Sequence, residues 1–179
     1  MIIWISGLSG SGKTTIARAI QQCQADKGRK FLLVDGDEIR ELFGESSKPD
    51  RFEISGRRRN AERIDKLVSW FNVSGIDVVV SVLSLFPNIL LAHRDCFEDY
   101  FEVSLVASLE LLQKRDPKGL HAAALSSGGT NMVGYGIEYK RPSRPDLVID
   151  MDVDDLTPTE IAQKVCELIE DKMNGSSEW

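Results

Sequence analysis

The chain has 179 residues, 42% hydrophobic and 28% charged, with a formal net charge of -6. That length suits one domain with a substantial core, here residues 1–175 with 176–179 as a tail, and leaves too little for two. An acidic surface repels phosphate backbones and argues against nucleic acid as a partner. No apolar run is long or unbroken enough to cross a membrane, and no basic leader precedes the first strand, so a cytoplasmic protein is expected.

Taken in chain order, Ile2 to Ser6 is a short apolar run ending in glycine, which predicts a buried strand. A helix follows from Lys13 to about Lys27, with Ile16, Ile20 and Cys23 on its inner face and Gly28 as its stop. Phe31 to Val34 predicts a second strand, opening into Asp35-Gly36-Asp37 and a short helix through Phe43. Gly44 to Phe52 is polar and holds a proline, the composition of a loop. Arg57 to Ser74 carries Ile64, Leu67, Val68 and Phe71 at helical spacing. Ile76 to Leu83, the run richest in β-formers, predicts a fully buried central strand.

Asn88 to Phe97 predicts a helix, Phe101 to Val106 a strand, and Ser108 to Arg115 a helix ending before Pro117. No residue from Gly119 to Ile137 carries a formal charge, and glycine, serine and alanine dominate; a loose lid is expected there. Leu147 to Asp150 is a last short strand. Thr157-Pro158-Thr159-Glu160 combines a capping box with proline at the first helical position, and Ile161, Val165, Leu168 and Ile169 form the apolar face behind it. Strands alternating with helices predict an α/β fold, a three-layer arrangement with a parallel sheet covered on both faces and ligands at the carboxyl ends of the strands.

Gly7-Leu8-Ser9-Gly10-Ser11-Gly12-Lys13-Thr14 matches G-x-x-x-x-G-K-[ST] in full, between a strand and a helix. Its glycines let successive backbone N–H groups turn inward on phosphates, and the helix N-terminus adds positive potential. Gly7, Ser9, Gly10, Ser11, Gly12, Lys13, Thr14 and Thr15 are thus the expected contacts to ATP. Lys13 reaches the β- and γ-phosphates and Thr14 offers a hydroxyl to magnesium (Mg2+). Asp35 and Asp37 bring two carboxylates to the next strand end. One suits hydrated metal, and the other suits the proton of an attacking hydroxyl. The metal-side candidates are Thr14 and Asp35, and the reacting-group candidates are Lys13, Asp35 and Asp37. Arg40, one turn after Asp37, is placed to meet an anionic acceptor. The alternative for the aspartates is an ordinary Asp-Gly turn.

These blocks resemble the adenylyl sulfate kinase (APS kinase) family. GLSGSGKTT is close to its phosphate loop, DGDEIR to its DGDN-[VI]-R segment, and RRRNAER to its R-x-x-N-I-R block, while RDPKGL from Arg115 is nearly verbatim. Gly134, Tyr139, Pro142, Pro145 and Leu147 follow its FTGID-x-PYE-x-P-x-x-P-[ED]-L stretch. The resemblance implies a P-loop kinase that phosphorylates the 3′-hydroxyl of adenosine 5′-phosphosulfate or a related nucleotide. It implies Asp37 as the acceptor-activating carboxylate, and Arg40, Arg57 and Asn60 at the acceptor's phosphate end. Arg115 lies against the ATP adenine, Lys118 neutralises charge as the lid closes, and Ser84 stands in the place of a family serine. Beyond the small-molecule nucleotide acceptor, a homodimer is the one protein partner considered.

The departures gather on the acceptor side. Glu38 replaces the family's asparagine, Pro87 an arginine, Met132 an acceptor-stacking aromatic and Gly136 an aspartate, and the lid lacks its usual lysines and arginines. A changed acceptor fits that pattern, such as a cytidine diphosphate derivative (cytidine diphosphoramidate) used in capsule modification. A catalytically silent nucleotide-binding module is a second reading. A regulatory GTPase is a third, weakened by the lack of an N-K-x-D motif. His93 and His121 match no ligand spacing and are expected to be ordinary surface or core residues, and Trp4 and Trp70 are expected to be packing residues.

Overall fold

The computed structural model describes residues 1–116, 119, 121–122 and 131–175, without the side chains of 174–175. Five strands, β1 (Ile2–Ser6), β2 (Phe31–Asp35), β3 (Asp77–Val82), β4 (Tyr100–Val106) and β5 (Leu147–Asp150), form one parallel sheet in the order β2-β3-β1-β4-β5. The helices described are α1 (Lys13–Asp26), α2 (Gly36–Leu42), α3 (Ile54–Val73), α4 (Pro87–Cys96), α5 (Leu109–Arg115) and α6 (Pro158–Gly175). No helix among the described residues is long and apolar enough to cross a membrane.

Alternation in β1 assigns its side chains to two separate cores. Ile3 and Ile5 pack with Ile16 and Ile20 of α1 and Ile161, Val165 and Ile169 of α6. Ile2 and Trp4 pack on the other face with Ile64 and Val68 of α3 and Leu90 of α4. Burial on both faces explains why β1 and β3 read as unbroken apolar runs. It also corrects the expected centre. β1 takes the middle of the sheet, the Ile76–Leu83 run supplies its neighbour, and Ile76 itself stays exposed outside the strand.

Other expectations shift in detail. The helix expected from Arg57 begins three residues earlier at Ile54, and the chain at Asp50 folds tightly back over Gly56 within its first turn. A Cβ there would collide with the Asp50 carbonyl oxygen, so glycine is required. The expected polar loop before it is held by Glu45, which is buried and paired with Lys48, Arg59 and Arg63. The hydrogen bond from Lys48, then those from Arg63 and Arg59, hold its carboxyl down to about 2. That order matters for the site, since the loop delivers Arg51 and Phe52 to it. Cys23 is half-buried, and Cys166 of α6 takes the enclosed position instead, accepting from Gln24 at 3.3 Å.

The capping box forms as expected: Thr157 N–H donates to Glu160 at 2.8 Å, and Glu160 N–H to Thr157 Oγ1 at 3.3 Å. Much of the expected lid, and the tail at 176–179, lie outside the described residues. Its described part is better packed than a loose loop, because Val133 closes a tight turn against Ile137 and is buried with His121.

Candidate active site

The loop after β1 is shaped by close approach. A Cβ on Gly7 would lie 2.8 Å from Ser11 Oγ and 2.9 Å from the Leu105 carbonyl oxygen, so only glycine fits. Gly12 caps α1 at a φ of 94° and hands the chain to Lys13, whose Nζ donates to the Leu8 carbonyl at 2.7 Å. The first turn of α1 carries no acidic residue. Its N-terminal N–H groups and its dipole therefore meet no competing anion from their own turn. Ser11 Oγ is fully buried inside the loop with no hydrogen-bond partner.

Two strands away, beyond β3, Asp35 ends β2 and caps α2 through bonds from the Asp37 and Glu38 amides, at 2.9 and 3.5 Å. Its second oxygen accepts from Thr14 Oγ1 at 2.7 Å, and Ser81 Oγ lies 3.3 Å from the same hydroxyl. Ser81 is the register partner of Asp35 in the sheet, which fixes their proximity. Three hard oxygen donors at one point form the kind of partial shell that magnesium shares with phosphates. Asp37 points outward, 61% exposed, and pairs with Arg40 at 2.6 Å.

Across a cleft of about 1250 Å³ stands a cationic wall. The guanidinium groups of Arg40, Arg51 and Arg57 all lie over the Phe52 ring, 5.7, 4.7 and 5.7 Å from its centroid. Arg57 donates to the carbonyls of Phe52 at 2.7 Å and Asn131 at 3.1 Å, and so ties the loop before α3 to the segment carrying Met132. Burial first, and then repulsion from Arg40, push the Arg57 guanidinium down to about 10, against the pull of Asp37. An anion entering here would relieve that repulsion. Asn60 donates to the Gly36 carbonyl at 3.0 Å, while its own Oδ1 is buried without a partner.

The cleft gathers most of the residues expected from sequence. Ser9, Gly10, Gly12, Lys13, Thr14 and Thr15 line it, as do Asp35, Asp37, Arg40, Arg57 and Asn60, with Ser84, Arg115 and Met132. Gly7 and Ser11 lie behind it, shaping the loop. Ser84 sits at a φ of 55°, held by Trp4 Nε1 at 2.8 Å, so Trp4 serves packing and also fixes a strained residue at the site's edge. Lys118 lies outside the described residues.

Ser81, Arg51, Phe52 and His121 also line the cleft, and sequence spacing did not single them out. Ser81 left one trace, a small polar residue inside an apolar strand. Phe52 left none, because an aromatic ending a polar loop reads as an exposed hydrophobe.

A parallel doubly wound sheet, with this loop at the carboxyl edge of its central strand and a second binding wall opposite, is the construction of a P-loop kinase. The family model described as adenylylsulphate kinase matches residues 1–150, and the chain belongs to that family. It is 36% identical over 149 residues to a cytidine diphosphoramidate kinase of Campylobacter jejuni, covering 83% of this chain and 85% of the relative. It is 33% identical over 174 residues to an adenylyl-sulfate kinase of Thermodesulfovibrio yellowstonii, covering 96% and 84%. The solved structure of the Mycobacterium tuberculosis APS kinase CysC in complex with AMPPNP and APS superposes with a TM-score of 0.82 at 31% identity, covering 94% of this chain and 96% of that one. The chain is an ATP-dependent kinase.

Proposed function

We propose that this kinase moves the γ-phosphoryl group of magnesium-bound ATP to the 3′-hydroxyl of adenosine 5′-phosphosulfate or a related nucleotide. The observation that carries the reading is the stack of three guanidinium groups on Phe52, in the same cleft as the phosphate loop and Asp37. Such a wall suits a ligand with one aromatic base and one strongly anionic end.

In this reading Lys13 and the backbone N–H groups from Ser9 to Thr14 hold the β- and γ-phosphates. Arg115 lies along the adenine of ATP. Arg40, Arg57 and Asn60 grip the acceptor's anionic end, and Phe52 and Met132 bracket its base. The unpartnered Asn60 Oδ1 and the mutual repulsion of Arg40 and Arg57 both find relief when a ligand arrives. Asp37 exchanges its bond with Arg40 for one from the acceptor hydroxyl and takes that proton. The hydroxyl oxygen forms its bond to the γ-phosphorus as the bond to the β–γ bridging oxygen breaks, and ADP leaves. The oxygen set of Thr14 and Asp35, with Ser81 beside it, would hold magnesium, which when bound neutralises phosphate charge.

A second reading, cytidine diphosphoramidate as acceptor, is favoured by the Campylobacter relative and by Pro87 and Met132, where the family carries arginine and an aromatic ring. The two are separated by ATP turnover with each nucleotide side by side, followed by phosphorus NMR of the product. The first reading predicts efficient 3′-phosphorylation of adenosine phosphosulfate. Turnover confined to the cytidine compound would reject adenosine phosphosulfate as the acceptor, and transfer to neither would remove both named acceptors.

A further inference from the structure

His121 follows the RDPKGL motif and is almost wholly buried, 2% exposed. Its Nε2 lies 3.1 Å from the Ser9 carbonyl oxygen, and its Nδ1 lies 3.1 Å from the Tyr135 hydroxyl. A carbonyl can only accept, so Nε2 carries the proton, and in the neutral ring Nδ1 accepts from Tyr135. Tyr135 in turn receives a bond from Gln113 of α5 at 3.0 Å. The backbone beneath the ring is fixed as well, since the amides of His121 and Ala122 both donate to the Asp116 carboxylate, at 3.1 and 2.9 Å. A donor chain thus runs from α5 through Tyr135 and His121 to a single carbonyl of the phosphate loop.

That carbonyl belongs to the peptide joining Ser9 to Gly10. A trans peptide is planar, with its C=O and N–H pointing in opposite directions, so holding the oxygen aims the Gly10 N–H away from the imidazole. Gly10 has a φ of 82°, in the left-handed region that glycine occupies freely. The same freedom lets the preceding peptide turn over, which would present a carbonyl oxygen to the phosphates in place of a donor. Nε2 would lie 3.6 Å from a Cβ on Gly10, so the ring stands directly against this joint.

We infer that His121 is a positioning residue for ATP: its hydrogen bond to the Ser9 carbonyl locks the Ser9–Gly10 peptide in the orientation that offers the Gly10 N–H to the triphosphate. The inference rests on reading this loop as the ATP cradle. It assigns an unmatched histidine to donor binding and leaves the acceptor wall out of the coupling.

The experiment compares His121→Phe, His121→Gln and His121→Asn by calorimetric titration with magnesium–ATP and by steady-state kinetics, with chemical denaturation to confirm folding. Gln can carry an N–H to the place of Nε2, whereas Asn is too short. The expected result is a rise of about tenfold in Kd and KM for ATP in the Phe and Asn variants, the loss of one hydrogen bond to a preorganised site. The Gln variant stays within about threefold of the parent, and KM for the acceptor is unchanged in all three. Parent-like ATP binding in the Phe variant would overturn the inference. So would equal weakening of ATP and acceptor, or a Gln variant no better than Asn. The Gln–Asn pair decides the matter if Phe does not fold. A parent that fails to bind magnesium–ATP would instead remove the cradle reading itself.

Discussion

The two ends of the cleft are built in different ways. At the donor end, eight consecutive residues from Gly7 to Thr14 supply a lysine, a hydroxyl and a row of backbone amides, all placed by one strand–turn–helix joint. At the proposed acceptor end, Arg40 comes from α2, Arg51 and Phe52 from the loop before α3, Arg57 and Asn60 from α3, and Met132 from beyond α5. Backbone geometry dominates the first wall, and long side chains on separate elements dominate the second. The donor wall therefore tolerates little change in sequence, while the acceptor wall can exchange single side chains without disturbing the sheet. Of the departures from the family pattern, Glu38 and Met132 line the cleft, and Pro87 and Gly136 do not.

The sharpest way to break the contrast is at Lys13. Lys13→Ala removes a point charge from an otherwise rigid cradle, and kcat/KM for ATP should fall about a thousandfold in a protein that still folds. Calorimetric titration with magnesium–ATP and single-turnover phosphoryl transfer both report it. Parent-like binding would mean that the loop does not carry the nucleotide.

The same contrast governs what could be read from sequence. The phosphate loop, both aspartates and the capping box at Thr157 are legible because each is a local pattern in which spacing alone fixes geometry. The order of strands was less so. Residues Ile76 to Leu83 look central because they are apolar, but apolarity reports burial on both faces and not position in the sheet. Phe52 and His121 were invisible for another reason. Phe52 becomes part of the site only when Glu45 gathers Lys48, Arg59 and Arg63 and pulls the loop inward. His121 matters only because Gln113 and Tyr135 set its tautomer against Ser9. Both depend on contacts between residues distant in sequence, which no window along the chain contains.

A smaller effect is expected on the acceptor wall. Arg57→Ala removes one of the three cations over Phe52 and also the bonds to the Phe52 and Asn131 carbonyls. KM for the acceptor should rise about a hundredfold, equivalent to about 2.7 kcal/mol, with KM for ATP held within about threefold. Steady-state kinetics with each substrate varied in turn tests this. A matching loss on the ATP side would show that the two walls are not independent.

The smallest expected effect concerns how the acceptor side is supported from beneath. Arg94 of α4 bonds to Glu102 of β4 at 3.4 Å, to Asp146 at 2.9 Å and to the Arg144 carbonyl, clamping the chain that returns from Met132 toward β5. Glu102 is buried, and one of its oxygens has no partner. Burial, aided by the Asp146 carboxylate and opposed by Arg94, raises its carboxyl from 4.5 to about 7. Between those values the folded chain binds a proton that the unfolded chain has released. The stabilisation from this group is therefore complete below about pH 4.5 and is lost as pH rises through about 7. The full linkage is about 3 kcal/mol, of which about 2 kcal/mol falls between pH 5 and pH 8. Glu102→Gln keeps the shape without the titration. Urea unfolding from pH 5 to pH 8 should show the parent losing about 2 kcal/mol more than the variant, with every other titrating group common to both. Parallel stability curves would mean that Glu102 is ionised throughout, with Arg94 alone sustaining the clamp beneath the acceptor wall.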